Sequence, residues 1–350
     1  MSRVWPHVRT CAALALAALL TGCSGGSTEN PTGGSPPIPL RGATSTFAAS
    51  AFLRWFNQLA VHPGIFAELE VLGSGASIRS FLAGQVDFAV TDSPPSPKEI
   101  GSAPQGLVAF PVTAGAIAIA YNLPGCDLRL KREQLVAIYL AEVTNFAELG
   151  CADQPITVLH RGDSSGSTAN FSASLAAFSP AWRQGPGSGR ELRWPVGRAV
   201  LGSDGMATAL KETPGSIGYV ESAYVRVPLQ AAALQNGKGQ LVRPDAASSA
   251  QALAAISLDD RLLGGNPDPP VGYPIVSFSW MLVPSRSLGA RLEPLKTSLS
   301  YILSQPAQDD AELLGYVPLP AELRELALRQ FALLSPGSAL VTGSQRRVLD

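Results

Sequence analysis

From Ile38 onward, short apolar runs alternate with stretches whose apolar residues recur every three to four positions, which restricts the chain to an α/β fold with mainly parallel sheets. Strands are expected at 67–72, 86–90, 114–121, 156–160, 217–220 and 275–283. Helices are expected at 48–60, 77–83, 132–140, 168–178, 204–211, 288–303 and 321–334. In 48–60 the apolar set Phe52, Trp55, Phe56 and Leu59 follows the helical period. The 350 residues correspond to about two domains, and a hydrophobic share of 46% can fill a sizeable core. Gly 34 and Pro 29 suit a loop-rich α/β chain better than a helical bundle, and no internal repeat is visible.

Charge and chemistry remove several classes of function. The net charge is −1 and the 26 basic side chains are scattered, so no nucleic-acid surface is expected. No stretch reaches the roughly 20 apolar residues of a membrane span. Three histidines and four cysteines at these positions do not make a zinc cluster, so no metal is expected. Gly162-Asp163-Ser164-Ser165-Gly166 fits the G-x-S-x-G elbow of serine hydrolases, but no histidine follows His160, so the triad lacks its base. His62 sits in what reads as a helix-ending turn. No lysine stands in a phosphate-cradling Walker loop. Acids such as Glu142 and Asp153 lie in settings that read as solvated faces, which gives no support to glycoside cleavage. No enzymatic activity and no cofactor are expected.

The N-terminus has the form of an export signal. Arg3, His7 and Arg9 precede an apolar run from Cys11 to Leu20, and Leu20-Thr21-Gly22-Cys23 looks like a bacterial lipobox, with cleavage after residue 22 and acylation of Cys23. Cleavage removes two arginines and no acid, so lipid rather than charge would hold the chain to a bilayer. Residues 23–37 are dominated by Ser, Gly, Thr, Asn and Pro and read as a flexible tether with a reach of about 20 Å. The expected location is the periplasm or cell surface. Cys126 and Cys151 are then the only cysteines of the folded part, and an oxidising compartment favours a disulfide between them over two buried free thiols.

Three helix starts follow small, hydroxyl-rich turns: Gly42-Ala43-Thr44-Ser45-Thr46-Phe47, Gly73-Ser74-Gly75-Ala76-Ser77, and Arg161-Gly162-Asp163-Ser164-Ser165-Gly166-Ser167-Thr168. Each alone reads as a helix cap; together they suggest an oxyanion site, because helix N-termini offer unpaired N–H groups and a positive dipole end. Asp92 and Arg161 end expected strands, where α/β sheets bind ligands. Asp163 is placed to pair with the Arg161 guanidinium and hold its fork.

These runs, with Val86-Asp87-Phe88, Asp92-Ser93-Pro94, Phe110-Pro111-Val112, Trp194-Pro195-Val196-Gly197, Pro214-Gly215-Ser216-Ile217-Gly218-Tyr219-Val220-Glu221 and Leu314-Gly315-Tyr316-Val317-Pro318-Leu319-Pro320, occur in an order that resembles the bacterial phosphate-binding proteins of the PstS type, which deliver phosphate to an ABC importer. The resemblance implies a two-lobe periplasmic binding protein fold of type II with the ligand cleft between lobes. Lobe I would comprise 38–112 plus 278–334 and lobe II 113–277, with a tail at 335–350. It implies phosphate contacts from Thr46, Phe47, Ser74, Asp92, Arg161, Ser165, Gly166 and Ser167, no catalytic residue, and permease subunits as partners. Asp92, if ionised, would accept the proton that phosphate carries and sulfate lacks. Two other roles fit the same residues: a phosphate-sensing or surface lipoprotein, and a binder of another oxyanion. The chain departs from the family pattern at Ala48, where proline is usual, at Ser164-Ser165-Gly166-Ser167 in place of Gly-Ser-Gly-Thr, and in the loop 197–202.

Overall fold

The computed structural model describes residues 39–286, 288–332 and 334. The expected signal 1–22, Cys23 with the tether 23–37, and the tail 335–350 lie outside the described residues. The first α/β block runs β1 (Leu40–Ser45), α1 (Ala49–Val61), β2 (Ala67–Leu72), α2 (Ser74–Leu82), β3 (Phe88–Thr91) and α3 (Pro97–Ser102). The apolar stripe of α1 is buried as its spacing predicts, with Phe52 and Phe56 stacked on Phe88 of β3. β1 pairs in parallel with β2 and with β3.

A second block follows the long strand β4 (Val108–Tyr121): β5 (Arg129–Leu130), α4 (Arg132–Tyr139), β6 (Thr157–Arg161), α5 (Gly166–Phe178), α6 (Pro180–Gln184), β7 (Arg198–Val200), α7 (Gly202–Glu212) and β8 (Ser216–Glu221). Then come β9 (Gln230–Ala231), β10 (Ala233–Gln235), β11 (Leu241–Val242), α8 (Ala246–Ala254), β12 (Val276–Val283), α9 (Leu292–Ile302), α10 (Gln305–Leu313) and α11 (Ala321–Ala332). The main sheet has the order β2-β1-β3-β12-β4-β8-β6-β7, with β9 also on β4. Short strands β11, β10 and β5 form a separate small sheet.

The expectation of mainly parallel pairing is corrected. β12 runs antiparallel to both β3 and β4, and β4 runs antiparallel to β8 and β9. In the main sheet parallel pairing is confined to two flanking groups, β2-β1-β3 and β8-β6-β7, and in the small sheet β10 pairs in parallel with β5. The reason is that β4 and β12 are buried almost end to end, and an apolar run reads the same whichever way its neighbours point. Three helices also begin earlier than expected: α2 takes in Ser74 to Ala76, α5 takes in Gly166 and Ser167, and α7 starts at Gly202. This shift carries residues of the hydroxyl-rich turns onto helix N-termini.

Cys126 and Cys151 form a disulfide with Cα atoms 5.4 Å apart, joining the segment after β4 to the segment before β6. In the second block an aromatic cluster packs Tyr139, Phe171, Trp194 and Tyr219 against one another, with His160 stacked on Trp194. No helix among the described residues is long and apolar enough to cross a membrane.

Candidate functional site

The C-terminal ends of β1, β3, β6 and β8 deliver Ser45, Asp92, Arg161 and Glu221 to one place, and the N-termini of α2, α5 and α7 close around them with Ser74, Ser167 and Ser203. All seven side chains are buried. Sites beyond the carboxyl ends of strands follow from α/β topology, because the loops there are free to vary while the sheet fixes their bases.

The Asp92 carboxylate is held by three serine hydroxyls. Its Oδ1 accepts from Ser45 Oγ at 2.8 Å and Ser279 Oγ at 2.7 Å, and its Oδ2 from Ser74 Oγ at 3.1 Å. Its backbone is held as well: the N–H donates to Ser74 Oγ at 3.1 Å, while the carbonyl accepts from Ser277 Oγ at 2.6 Å and Asn170 Nδ2 at 2.7 Å. Burial pushes the carboxyl up to about 7, against the opposing pull of the Ser279, Ser45 and Ser74 hydroxyls.

Arg161 is fixed in a fork. Its Nε donates to Asp163 Oδ1 at 2.6 Å and its Nη2 to Asp163 Oδ2 at 2.5 Å, the two-point pairing expected of that i,i+2 relation. Nη2 also reaches Thr46 Oγ1 at 3.1 Å, and Nη1 reaches Ser203 Oγ at 3.4 Å. Burial opposes the guanidinium charge, but Asp163 outweighs it and raises the pKa; reciprocally, Arg161 outweighs burial and lowers that of Asp163. Ser45 binds Asp92 and its neighbour Thr46 binds Arg161, so the cation and the Asp92 carboxylate are joined through two consecutive residues.

The remaining expected residues lie in the same cluster. Ser165 caps α5, accepting from the Thr168 N–H at 3.2 Å, and Gly166 is the first residue of that helix. Ser167 donates to Glu221 Oε1 at 2.9 Å. Phe47 is buried with its carbonyl accepting from Tyr316 at 2.5 Å. Of the three hydroxyl-rich turns only the third supplies its own side-chain cap: the N-cap residues of α1 and α2 are Ala48 and Gly73, which make none.

Sequence reasoning missed four members. Ser45 and Ser203 stand in or beside turns already singled out, and Glu221 ends a strand by the same rule that selected Asp92 and Arg161. Ser279 carries no local signal, being one serine inside a buried strand. The hydrolase geometry is not assembled: His160 is stacked on Trp194 with its Nδ1 3.1 Å from the Arg161 carbonyl oxygen, while Ser164 faces Gly75. Among the described residues no group of His, Cys, Asp and Glu is arranged to hold a metal. A cavity of about 380 Å³ lined by Arg41, Asp87 and Arg291 lies at the other end of β1, away from Asp92.

A family model described as a PBP superfamily domain matches residues 25–305. The phosphate-binding protein PstS of Xylella fastidiosa is 30% identical over 345 residues, covering 90% of this chain and 94% of its own length. That of Methanocaldococcus jannaschii is 28% identical over 356 residues, covering 88% and 90%. The solved structure of the phosphate-binding protein from Stenotrophomonas maltophilia matches with a TM-score of 0.68 at 18% identity, over 84% of this chain and 94% of that one. The fold is the two-lobe, type II periplasmic binding protein fold. By a superfamily match across most of its length and a relative 30% identical over nine-tenths of it, the chain belongs to the PstS-type family of phosphate-binding proteins.

Proposed function

We propose that the protein binds inorganic phosphate between Arg161 and Asp92, outside the cytoplasm, and delivers it to an ABC-type importer. One observation carries this reading: a buried guanidinium and a buried carboxylate, tied together through Ser45 and Thr46, face one cluster of hydroxyls and helix N-termini. Names of relatives across nine-tenths of the chain support it.

In this reading Thr46, Phe47, Ser74, Arg161, Ser165, Gly166 and Ser167 donate to the anion from side chains and backbone amides, and Arg161 with the helix N-termini offsets its charge. Asp92 does the opposite. A carboxylate oxygen offers about two lone-pair sites. Those of Oδ1 are taken by Ser45 and Ser279, whereas among the described residues Oδ2 accepts only from Ser74, at 3.1 Å. The open site on Oδ2 receives the proton that phosphate retains at neutral pH. Sulfate has no such proton and would set lone pair against lone pair in a dry site, a mismatch that discriminates by as much as about 10⁴. Titrating the purified protein with phosphate and with sulfate by calorimetry tests this: phosphate binds, and sulfate does not compete.

Lobe I is assigned to 38–112 plus 278–334 and lobe II to 113–277, with β4 and β12 as the strands that flex between them. No group transfer is assigned to the site, since a binding protein must release its ligand unchanged. Cys23 is the assigned acylation site that anchors the chain to a bilayer. Palmitate labelling that persists in Cys23→Ser would contradict that assignment.

A further inference from the structure

Glu221 has no part in the reading above, yet it is 1% exposed at the end of β8, inside the cluster. Its Oε1 accepts from Ser167 Oγ at 2.9 Å, while among the described residues Oε2 has no hydrogen-bond partner. A buried carboxylate with an open oxygen is costly unless it is paired or neutralised. The nearby cation is largely engaged elsewhere: Arg161 points its fork at Asp163, its second Nη2 N–H at Thr46 and one Nη1 N–H at Ser203.

The groups that face Glu221 do not relieve the charge. Arg161 on β6 favours it, but Asp92 at the end of β3 opposes it, as do the Tyr224 and Tyr316 hydroxyls if ionised. α5 contributes Ser167, α7 contributes Ser203, and β4 places Ile117 opposite in the register. Ser203 favours the ionised form without completing a hydrogen bond to Oε2.

The direction of one proton then matters. Ser167 has a single hydroxyl hydrogen, and here it is given to Glu221, so it is not available to an anion. Resting on the phosphate reading, we propose that Glu221 takes up a proton from solvent when phosphate enters and, as the neutral acid, donates a hydrogen bond to Ser167 Oγ, which turns the Ser167 hydroxyl toward the anion. Glu221 is thus a positioning residue for Ser167 and the point at which proton uptake is coupled to binding. One O–H bond forms at Glu221, one bond to hydrogen breaks in the solvent or buffer acid that gives the proton and leaves as its conjugate base, and nothing is oxidised or reduced. The uptake also removes one negative charge from a cluster that is receiving a dianion.

Calorimetric titration of the purified protein with inorganic phosphate, well above the second dissociation of phosphate and in buffers of different ionisation enthalpy, counts the protons. Wild type takes up about one proton per phosphate, whereas Glu221→Gln takes up about none and still binds, because its amide donates to Ser167 without titrating. On the alkaline side, wild-type affinity falls about tenfold per pH unit and that of Glu221→Gln does not. Ser167→Ala, which removes the relay, also loses the uptake, and decides the matter if Glu221→Gln fails to fold. Equal proton uptake in wild type and either variant overturns the proposal while leaving phosphate binding intact. Absence of any phosphate binding by wild type overturns the reading on which it rests.

Discussion

Gly166 and Asp92 are in contact with no room for a methyl group between them: a Cβ on Gly166 would lie 2.9 Å from the Asp92 Cβ and 2.5 Å from Ser74 Oγ. The first residue of α5 therefore seats directly on the residue that follows β3. Gly166→Ala forces α5 away from Asp92 and Ser74. Phosphate affinity is expected to fall at least about tenfold, with a loss of about 1–3 kcal/mol in unfolding free energy from overpacking. Calorimetry and urea unfolding measure the two effects separately.

Asp92 makes stability depend on pH in an uncommon direction for a carboxylate. Its folded pKa is raised from 3.8 to about 7, so between those values the native state holds a proton that the unfolded state has lost. Stability contributed by the protonated form is complete below pH 4 and is lost as pH rises through 7, by up to about 4 kcal/mol in all. Asp92→Asn removes the titration. In phosphate-free buffer the variant is expected to be more stable than wild type at pH 8, with the difference gone at pH 4, by urea unfolding at both values.

The disulfide closes a loop between cysteines 25 positions apart. The chain-entropy estimate for such a loop is about 3.5 kcal/mol. Replacing both Cys126 and Cys151 by serine is expected to lower unfolding free energy by roughly that amount, while phosphate affinity stays within about twofold, because the bridge lies outside the cluster. Denaturant unfolding and calorimetry check both statements.

The parts of the site carried by contiguous runs were legible in the sequence. Thr46, Asp163, Arg161 and Ser165 sit in short polar turns at the ends of apolar strands, where geometry follows from local pattern. Ser279 was not legible: it reaches Asp92 across 187 positions from the middle of a buried strand, and nothing near it in sequence marks its partner. Helices α8 and α10 went unread for a related reason. Segment 246–254 is mostly alanine and serine, and 305–313 is mostly polar, so neither shows an apolar stripe. Strand direction is not legible in β4 and β12 because burial on both faces erases the alternation that marks a half-solvated antiparallel strand.

Arg190 bridges two segments at the edge of the cluster. Its Nη1 pairs with Glu99 Oε1 at 2.6 Å, its Nε donates to Ser93 Oγ at 2.7 Å and its Nη2 to the Pro94 carbonyl at 2.9 Å. Its own carbonyl accepts from the Ser165 N–H at 2.9 Å, which ties the bridge to the start of α5. Arg190→Ala removes the three side-chain bonds. Phosphate release is expected to quicken by about tenfold with little change in association, as is usual when contacts that hold a closed site are lost. Stopped-flow displacement measures both rates.

The central claim is that Asp92 reads the proton on a tetrahedral anion that Arg161 holds. Competition calorimetry with phosphate and sulfate, on wild type and Asp92→Asn side by side, tests it most directly. The expected result is tight phosphate binding by wild type with sulfate weaker by up to about 10⁴, and a variant in which phosphate is weakened and that gap narrows. Sulfate competing on equal terms with phosphate in wild type, or the same selectivity in both proteins, would contradict it.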